Sequence, residues 1–228
     1  SGIGRSTALA LARHGANIVA FGQCKDKLDA LKYEIECKAP KVGFDAVALD
    51  FASNIDEYLP EAAKDIGSVD FLIHSAGMLK YSKNLGHAEL ADLDLHYRVN
   101  ARAPFALTKH FAEKLIKHKG QIVFINSSVK YQSTQMTSLF YSASKYALKS
   151  LADGLRSEFN GKGVRVMSIY PGKTNTPMQE KISEYNETVY QGVKMIQPED
   201  IAEQIVNLLN MPKTCEVTDY QVRPMQKS

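Results

Sequence analysis

Short runs of apolar residues alternate along this chain with longer segments in which apolar residues recur every three or four positions. Runs such as Ile18–Phe21 are typical of strands that a parallel sheet buries on both faces. Segments such as 25–37, where Leu28, Leu31 and Ile35 share one face, are typical of amphipathic helices. The pattern predicts a first helix ending at Gly15, strands at 18–21, 46–49, 69–73, 121–126, 164–170 and 216–222, and helices at 25–37, 55–66, 88–118 (with a break near Asn100), 138–160 and 198–209.

This alternation predicts an α/β fold with a doubly wound, mostly parallel, seven-stranded sheet and helices on both faces. We expect a single domain over residues 1–228, because no linker, repeat or change of composition divides the chain. Ser1 leads directly into a helical pattern with no strand before it. We therefore expect the first strand and its loop, roughly 8 to 12 residues, to precede Ser1, and any targeting segment to lie there too.

Composition excludes several classes of protein. The 228 residues carry 28 Lys and Arg against 25 Asp and Glu, a formal net charge of +3. So small an imbalance favours neither a nucleic-acid groove nor a membrane surface, and no apolar run approaches the roughly 20 residues that span a bilayer. Three scattered cysteines (Cys24, Cys37 and Cys215) argue against disulfides and for a reducing compartment, which predicts a cytoplasmic protein. No Cys/His cluster has the spacing of a metal site.

Glycines open the chain, where Ser1, Gly2, Ile3 and Gly4 stand directly before the first helix. Glycine lets a backbone approach a pyrophosphate, and a helix N-terminus supplies free N–H groups and the positive end of its dipole. The pattern is typical of the end of a dinucleotide-binding loop. An ordinary turn before a helix has the same pattern.

The end of the second strand bears on the choice of cofactor. A carboxylate usually stands there when a protein holds the ribose 2′-hydroxyl of NAD, but this chain has Gly22. Without a carboxylate to repel a 2′-phosphate, NADP is favoured, with Arg5, Gln23 and Lys25 as candidate contacts. Arg5 and Lys25 as solvated surface charges are the alternative.

Asp50 follows the next strand. Its carboxylate is placed to accept a hydrogen bond from an adenine amino group, or else to cap the helix that begins near Ser53.

One helix carries the residues with the clearest chemistry. Tyr141 and Lys145 stand four positions apart, so their side chains share a helix face. A free tyrosine has a pKa near 10, and a neighbouring ammonium lowers it toward the neutral range where a general acid or base works. Ser128 lies thirteen residues earlier, just past a strand, where its hydroxyl can bind a carbonyl oxygen. A tyrosine–lysine pair alone also occurs on ordinary surface helices.

With these motifs the chain resembles the short-chain dehydrogenase/reductase family of single-domain Rossmann proteins, over essentially all of its length. Gly2 and Gly4 match the last two glycines of the family's TGxxxGxG motif, and Ser128, Tyr141 and Lys145 match its Ser-Tyr-Lys set. The remaining matches are the NNAG position (His74–Gly77, with both Asn replaced), the catalytic Asn (Asn100), the PGxxxT segment (Pro171, Gly172 and Thr176) and the last strand ending in VRP (Val222–Pro224).

The resemblance implies a role for each matching residue. Tyr141 would be the general acid in reduction and the general base in oxidation, with Lys145 lowering its pKa and holding the nicotinamide ribose. Ser128 would orient the substrate carbonyl, and Asn100 would position a water that relays protons to Lys145. The implied cofactor contacts are Gly2, Ile3, Gly4, Gln23, Asp50, Ala76, Gly77, Tyr141, Lys145, Pro171, Gly172, Thr174 and Thr176.

Two departures from the family pattern raise separate questions. His74 stands where the family has an Asn, and we expect a hydrogen-bonded structural residue there rather than a catalyst. After Ser128, Lys130 and Tyr131 either face the substrate or cap the loop. Met136, further along the same loop, is expected to add to the apolar lining of the pocket.

A substrate lid is expected at about 178–196, where apolar residues alternate with Glu, Lys and Gln. Such a lid predicts a small-to-medium, moderately apolar carbonyl or alcohol substrate. The sequence therefore predicts an NADP-dependent oxidoreductase, NAD not being excluded, with no metal, nucleic-acid or membrane partner. The alternative is a cofactor-sensing Rossmann protein without catalysis. Helices 101–118 and 142–160 carry more apolar residues than one sheet can cover, which predicts a homodimer or homotetramer.

Overall fold

The structure, a computed structural model, describes residues 1–131, 135 and 138–226, without the side chains of residues 130 and 131. Strands and helices alternate along it. The strands are β1 (Ile18–Gly22), β2 (Phe44–Ala48), β3 (Phe71–His74), β4 (Gln121–Ile125), β5 (Arg165–Pro171) and β6 (Asp219–Val222). The helices are α1 (Gly2–Arg13), α2 (Lys25–Lys38), α3 (Ile55–Ala62), α4 (Leu90–Tyr97), α5 (Ala103–His118), α6 (Leu139–Phe159), α7 (Pro177–Tyr185) and α8 (Pro198–Leu209).

These elements form two compact units. The first contains Ser1–Phe51, Lys173–Pro212 and the C-terminal end from Pro224. The second contains Ala52–Gly172 and Lys213–Arg223. Each unit contains its own parallel sheet.

The first unit pairs β1 with β2 in parallel, from Ile18 opposite Phe44 to Gly22 opposite Ala48. Helices α1 and α8 pack together, burying Leu9 against a helix whose Ile201 and Ile205 are fully buried. A hydrogen bond of 2.8 Å from Ser6 Oγ to Glu199 Oε1 joins the same two helices. This packing fixes the first turn of α1, where the sequence places the glycine loop.

The second unit contains a parallel sheet in the order β3-β4-β5-β6. β4 is buried along its whole length, as expected of a central strand that helices cover on both faces. Gly120 precedes β4, and a Cβ there would lie 2.6 Å from the carbonyl oxygen of Asp70, which precedes β3. Only glycine therefore fits where the chain enters β4 beside the start of β3. The carboxyl ends of β3, β4 and β5 meet at one edge, which is where such sheets bind ligands.

The predicted α/β fold with parallel strands and helices is confirmed. Helix 88–118 does break near Asn100, at a π-helical turn over Arg98–Arg102. The start of a strand differs most at β6, which begins at Asp219, three residues later than predicted, while β2 and β3 begin two residues from the predicted positions, at Phe44 and Phe71. Six strands are described, in sheets of two and four, so the seven-stranded sheet with a missing first strand stays a prediction, as do the single domain and the cytoplasmic location. Among the described helices, none is long and apolar enough to cross a membrane.

His74 is a core residue. Its ring stacks on Phe124 with centroids 4.7 Å apart, and Nε2 lies 2.9 Å from Thr108 Oγ1. The Thr108 hydroxyl donates to the Pro104 carbonyl, so it accepts from Nε2–H, and this sets the histidine tautomer. Burial lowers the pKa of His74 to about 3. The ring is therefore neutral and structural, the role the sequence favours.

The pKa of His74 makes a prediction about acid stability. The folded pKa lies below the unfolded value of 6.5, so as pH falls below 6.5 only the unfolded state takes up the proton. Proton uptake by this group alone should lower the free energy of unfolding by about 2 kcal/mol between pH 7 and pH 5. His74→Gln removes the titration, and we expect its urea-unfolding free energy to fall less steeply over that range. Equal slopes for the variant and the natural chain would contradict the assignment.

Candidate active site

A π-helical turn places Asn100 beside the end of β3. Such turns in an otherwise α-helical segment often mark functional sites, because they move a side chain out of the regular helical register. Asn100 is fully buried, and its Oδ1 accepts from the Met78 N–H at 2.8 Å. Its Nδ2 donates to the Met78 carbonyl and to Ser144 Oγ, both at 3.0 Å. The Asn100 side chain thus ties the segment after β3 to helix α6, on the turn that carries Tyr141 and Lys145.

Lys145 extends from α6 to the end of β4. Its side chain is buried, and Nζ donates to the Ile125 carbonyl oxygen at 2.9 Å. A Cβ on Gly77 would lie 3.6 Å from Nζ and 3.5 Å from Asn100 Oδ1, so the glycine leaves room beside both groups. Burial lowers the pKa of Lys145 to about 8, because removal from water disfavours the ammonium.

Tyr141 lies one helical turn from Lys145, whose Nζ is 5.8 Å from the centre of the phenol ring. Burial raises the pKa of Tyr141, and a hydrogen bond with the Ser127 side chain opposes that increase. The net shift is upward, and the expectation that Lys145 lowers this pKa stays a prediction.

The structure brings the Ser127 hydroxyl to Tyr141, and the role of Ser128 stays a prediction. The Asn126 N–H still bonds the Ile169 carbonyl of β5, so Ser127 is the first residue released from the sheet. Ser128 is buried too, but it begins a short 3₁₀ turn, Ser128–Tyr131. Sequence analysis missed Ser127 because counting back from Tyr141 crosses a loop of unknown shape. The available signal was the end of strand pairing at Asn126.

Part of that loop cannot be compared with the predictions. Met136 lies outside the described residues, and so do the side chains of Lys130 and Tyr131. Whether Lys130 and Tyr131 face the substrate stays an open prediction.

In the first unit, the glycine loop meets the segment before α7. Gly2 has a φ of +53°, which favours glycine, and a Cβ there would lie 3.2 Å from Thr176 Cγ2. The first turn of α1 carries no acidic residue, as an anion-binding helix end requires. Ile3 and Gly4 belong to the same turn, where the Ile3 carbonyl accepts from the Thr7 hydroxyl at 2.8 Å. These residues fit a bound pyrophosphate, because the first turn of α1 offers backbone N–H groups and carries no acidic side chain.

The ends of β1 and β2 lie together, because the Leu49 N–H donates to the Gly22 carbonyl at 3.0 Å. Gln23 and Asp50 follow these strands, and both are exposed. The cap of α3 is Asn54, which weakens the alternative role of Asp50 as a helix cap.

The two cations proposed for the 2′-phosphate have ion-pair partners. Arg5 pairs with Glu34, and Lys25 Nζ lies 2.5 Å from Asp29 Oδ2. Both pairs are partly or fully exposed, so they are weak, and either cation can turn to another anion at little cost.

The other candidate cofactor residues follow β3 and β5. Ala76 and Gly77 come after β3, beside Asn100 and Lys145. Pro171 is the buried last residue of β5, and the Gly172 N–H donates to the Val222 carbonyl at 2.7 Å. Thr174 is buried in the first unit, and the Thr176 hydroxyl caps α7 by accepting from the Gln179 N–H. Among the described residues, no three His, Cys, Asp or Glu side chains are grouped as metal ligands.

Comparison with known proteins is consistent with this arrangement. A family model for short chain dehydrogenases matches residues 1–187. A serine 3-dehydrogenase of Agrobacterium fabrum is 29% identical over 232 residues, covering 100% of this chain and 92% of the relative. An uncharacterized oxidoreductase of Staphylococcus aureus is 31% identical over 228 residues, covering 99% of this chain and 94% of the relative. The crystal structure of a metagenomic short-chain oxidoreductase in complex with NADP has a TM-score of 0.81 at 26% identity, covering 100% and 94% of the two chains.

The chain therefore belongs to the short-chain dehydrogenase/reductase family. It is an oxidoreductase that acts on CH–OH groups with a nicotinamide dinucleotide, and its substrates are small molecules, as the sequence predicts. The family match gives no support to the alternative of a cofactor-sensing protein without catalysis.

Variants of the two serines test which hydroxyl belongs to the site. Ser127→Ala removes the hydrogen bond to Tyr141, so we expect kcat for carbonyl reduction to fall by about 10²-fold. Ser128→Ala is the matched comparison, and we expect a decrease of less than about 10-fold if Ser127 is the hydroxyl that serves the phenol. Steady-state kinetics with NADPH measures both. The reverse ranking would return the role to Ser128.

Proposed function

We propose that this protein is an NADPH-preferring carbonyl reductase, or alcohol dehydrogenase in the reverse direction, with Tyr141 as its acid and base. The observation that carries the proposal is the buried group at the end of β4, where Ser127 contacts the Tyr141 phenol and Lys145 stands one helical turn away. A phenol, a hydroxyl and an ammonium so placed can bind and protonate one carbonyl oxygen.

The raised pKa of Tyr141 favours the acid role at neutral pH. A protonated phenol donates to the developing alkoxide as the carbonyl is reduced, and the Ser127 hydroxyl donates to the same oxygen. In the oxidation direction the phenol must first lose its proton, which the raised pKa opposes. The nicotinamide, when bound, supplies or accepts the hydride.

Lys145 supplies a positive charge next to Tyr141, and Asn100 fixes the backbone of Met78 and the helix turn at Ser144. As the Tyr141 proton leaves, the phenolate gains stabilisation from a buried ammonium that the Ile125 carbonyl has already oriented. The Asn100 side chain is engaged by Met78 and Ser144, so a water for proton relay would have to bind its backbone rather than its amide.

The preference for NADP rests on Gly22, which offers no carboxylate against a 2′-phosphate, and on the NADP complex of the metagenomic oxidoreductase. Arg5, Gln23 and Lys25 would meet that phosphate. The remaining contacts would come from Gly2, Ile3, Gly4, Asp50, Ala76, Gly77, Tyr141, Lys145, Pro171, Gly172, Thr174 and Thr176.

The substrate side is expected to be moderately apolar. Val189 and Val193 in the lid are 82% and 93% exposed, so both side chains are available to contact a substrate. A small-to-medium carbonyl compound or alcohol with an apolar part would suit them. Phe105 on α5 and Tyr146 on α6 are each 42% exposed, and they support a homodimer or homotetramer built on these helices.

Tyr141→Phe tests the function directly. Loss of the phenolic proton should lower kcat by about 10²- to 10⁴-fold. Fluorescence titration should still show NADPH bound with nearly the original Kd, and more tightly than NADH, because the ring and the other cofactor contacts remain.

Full turnover by the Tyr141→Phe enzyme would end the acid–base assignment. Tighter binding of NADH, by a factor of 10 or about 1.4 kcal/mol, would overturn the cofactor preference while leaving the role of Tyr141 intact.

A further inference from the structure

Asn175 stands at the centre of a polar cluster at the base of the lid. Its Oδ1 accepts a hydrogen bond from the Tyr190 hydroxyl, and its Nδ2 donates to Gln197 Oε1 at 2.7 Å. Burial raises the pKa of Tyr190, so the phenol keeps the proton that it donates. A single side chain thus binds one residue within the lid and one just beyond its end.

Gln197 extends this cluster along the backbone. Its Nε2 donates to the carbonyls of Gly192 and Met195, each at 3.0 Å. The Asn175 N–H donates to the Ile196 carbonyl at 2.8 Å, and the Ile196 N–H to the Lys173 carbonyl at 3.1 Å. Backbone hydrogen bonds therefore pair the segment before the lid with the last residue of the lid. The Asn175 side chain adds a contact to Tyr190, which lies within the lid.

Gly192 shows how closely the lid approaches Asn175. A Cβ at this position would lie 2.8 Å from Asn175 Oδ1 and 3.2 Å from Tyr190 Cε1. Any side chain larger than hydrogen would displace one of the two groups. The backbone of the lid therefore rests directly on the Asn175 amide.

The residues before and after Asn175 in the sequence, Thr174 and Thr176, are both candidate cofactor residues. The Thr176 hydroxyl donates to the Thr174 carbonyl at 3.2 Å, across Asn175. Thr176 Cγ2 also lies against Gly2 of the glycine loop. The segment Thr174–Thr176 thus contacts the glycine loop on one side and the lid on the other.

We propose that Asn175 is a positioning residue that ties the substrate lid to the cofactor-side segment Thr174–Thr176. Ordering of that segment by a bound dinucleotide then holds the lid in place through Tyr190 and Gln197. The lid and cofactor roles rest on the proposed function, whereas the clamp itself is a property of the folded chain.

Trypsin cleavage after Lys181 and Lys194 measures how often the lid opens, because both lysines are exposed and lie within it. In the protein without cofactor, Asn175→Ala loses two hydrogen bonds and should be cleaved about 10-fold faster than the natural chain, and Tyr190→Phe about 3-fold faster. The double variant should be cleaved about as fast as Asn175→Ala, because the bond that Tyr190→Phe removes, from Tyr190 to Asn175, is already lost in Asn175→Ala. NADPH should slow cleavage of the natural chain and have less effect on Asn175→Ala.

Kinetics gives the second readout. In Asn175→Ala the closed lid, which is the state that binds substrate, should be populated less often. KM for the carbonyl substrate should therefore rise by about the factor seen in proteolysis, while kcat changes less. Asn210→Ala is the matched control, since Asn210 caps the C-terminus of α8 and, among the described residues, its side chain bonds the Val206 carbonyl of that helix. It should leave lid cleavage and KM unchanged.

Unchanged lid cleavage in both Asn175→Ala and Tyr190→Phe would overturn the clamp, and Tyr190→Phe decides the matter if Asn175→Ala fails to fold. Faster cleavage with KM unchanged would overturn the positioning role. A natural chain that reduces no carbonyl compound with NADPH would instead remove the proposed function, while the proteolysis result would stand by itself.

Discussion

The structure depends on one buried ammonium, that of Lys145, and on the carbonyl oxygen of Ile125 that receives it. An ammonium taken out of water costs several kcal/mol unless its donors find acceptors. Here the last residue of the central strand β4 supplies the acceptor at 2.9 Å. The same burial lowers the pKa of Lys145 to about 8, so this ammonium is charged at neutral pH and loses its proton in the mildly alkaline range.

Around this charge, each neighbour is positioned by another part of the second unit. The π-helical turn presents Asn100 to both polar backbone atoms of Met78, which holds the chain that leaves β3. The bond from Asn100 to Ser144 fixes α6 one residue before Lys145. The phenol of Tyr141 and the hydroxyl of Ser127 then meet without any residue between them. Rigid elements, rather than loops, carry most of the chemistry.

Much of this could be predicted from the sequence, because parallel strands buried on both faces appear as uninterrupted apolar runs and the Tyr141–Lys145 spacing is local to one helix. The break at Asn100 was also predictable. Ser127 was not, since two adjacent serines can be told apart only by where strand pairing ends. Nor was Asn175, whose partners lie 15 and 22 residues away and meet it only through the backbone bridge between Thr174 and Ile196.

The most direct test of the account is the pH dependence of kcat/KM for NADPH-dependent carbonyl reduction. Tyr141 stays protonated past neutral pH, so the first group to lose its proton is Lys145, and the rate should fall as pH rises through about 8. Lys145→Arg keeps its charge throughout this range, and any activity it retains should show no such fall. A flat profile between pH 6 and pH 10 for the natural enzyme, or the same fall in Lys145→Arg, would contradict the central role of the buried ammonium.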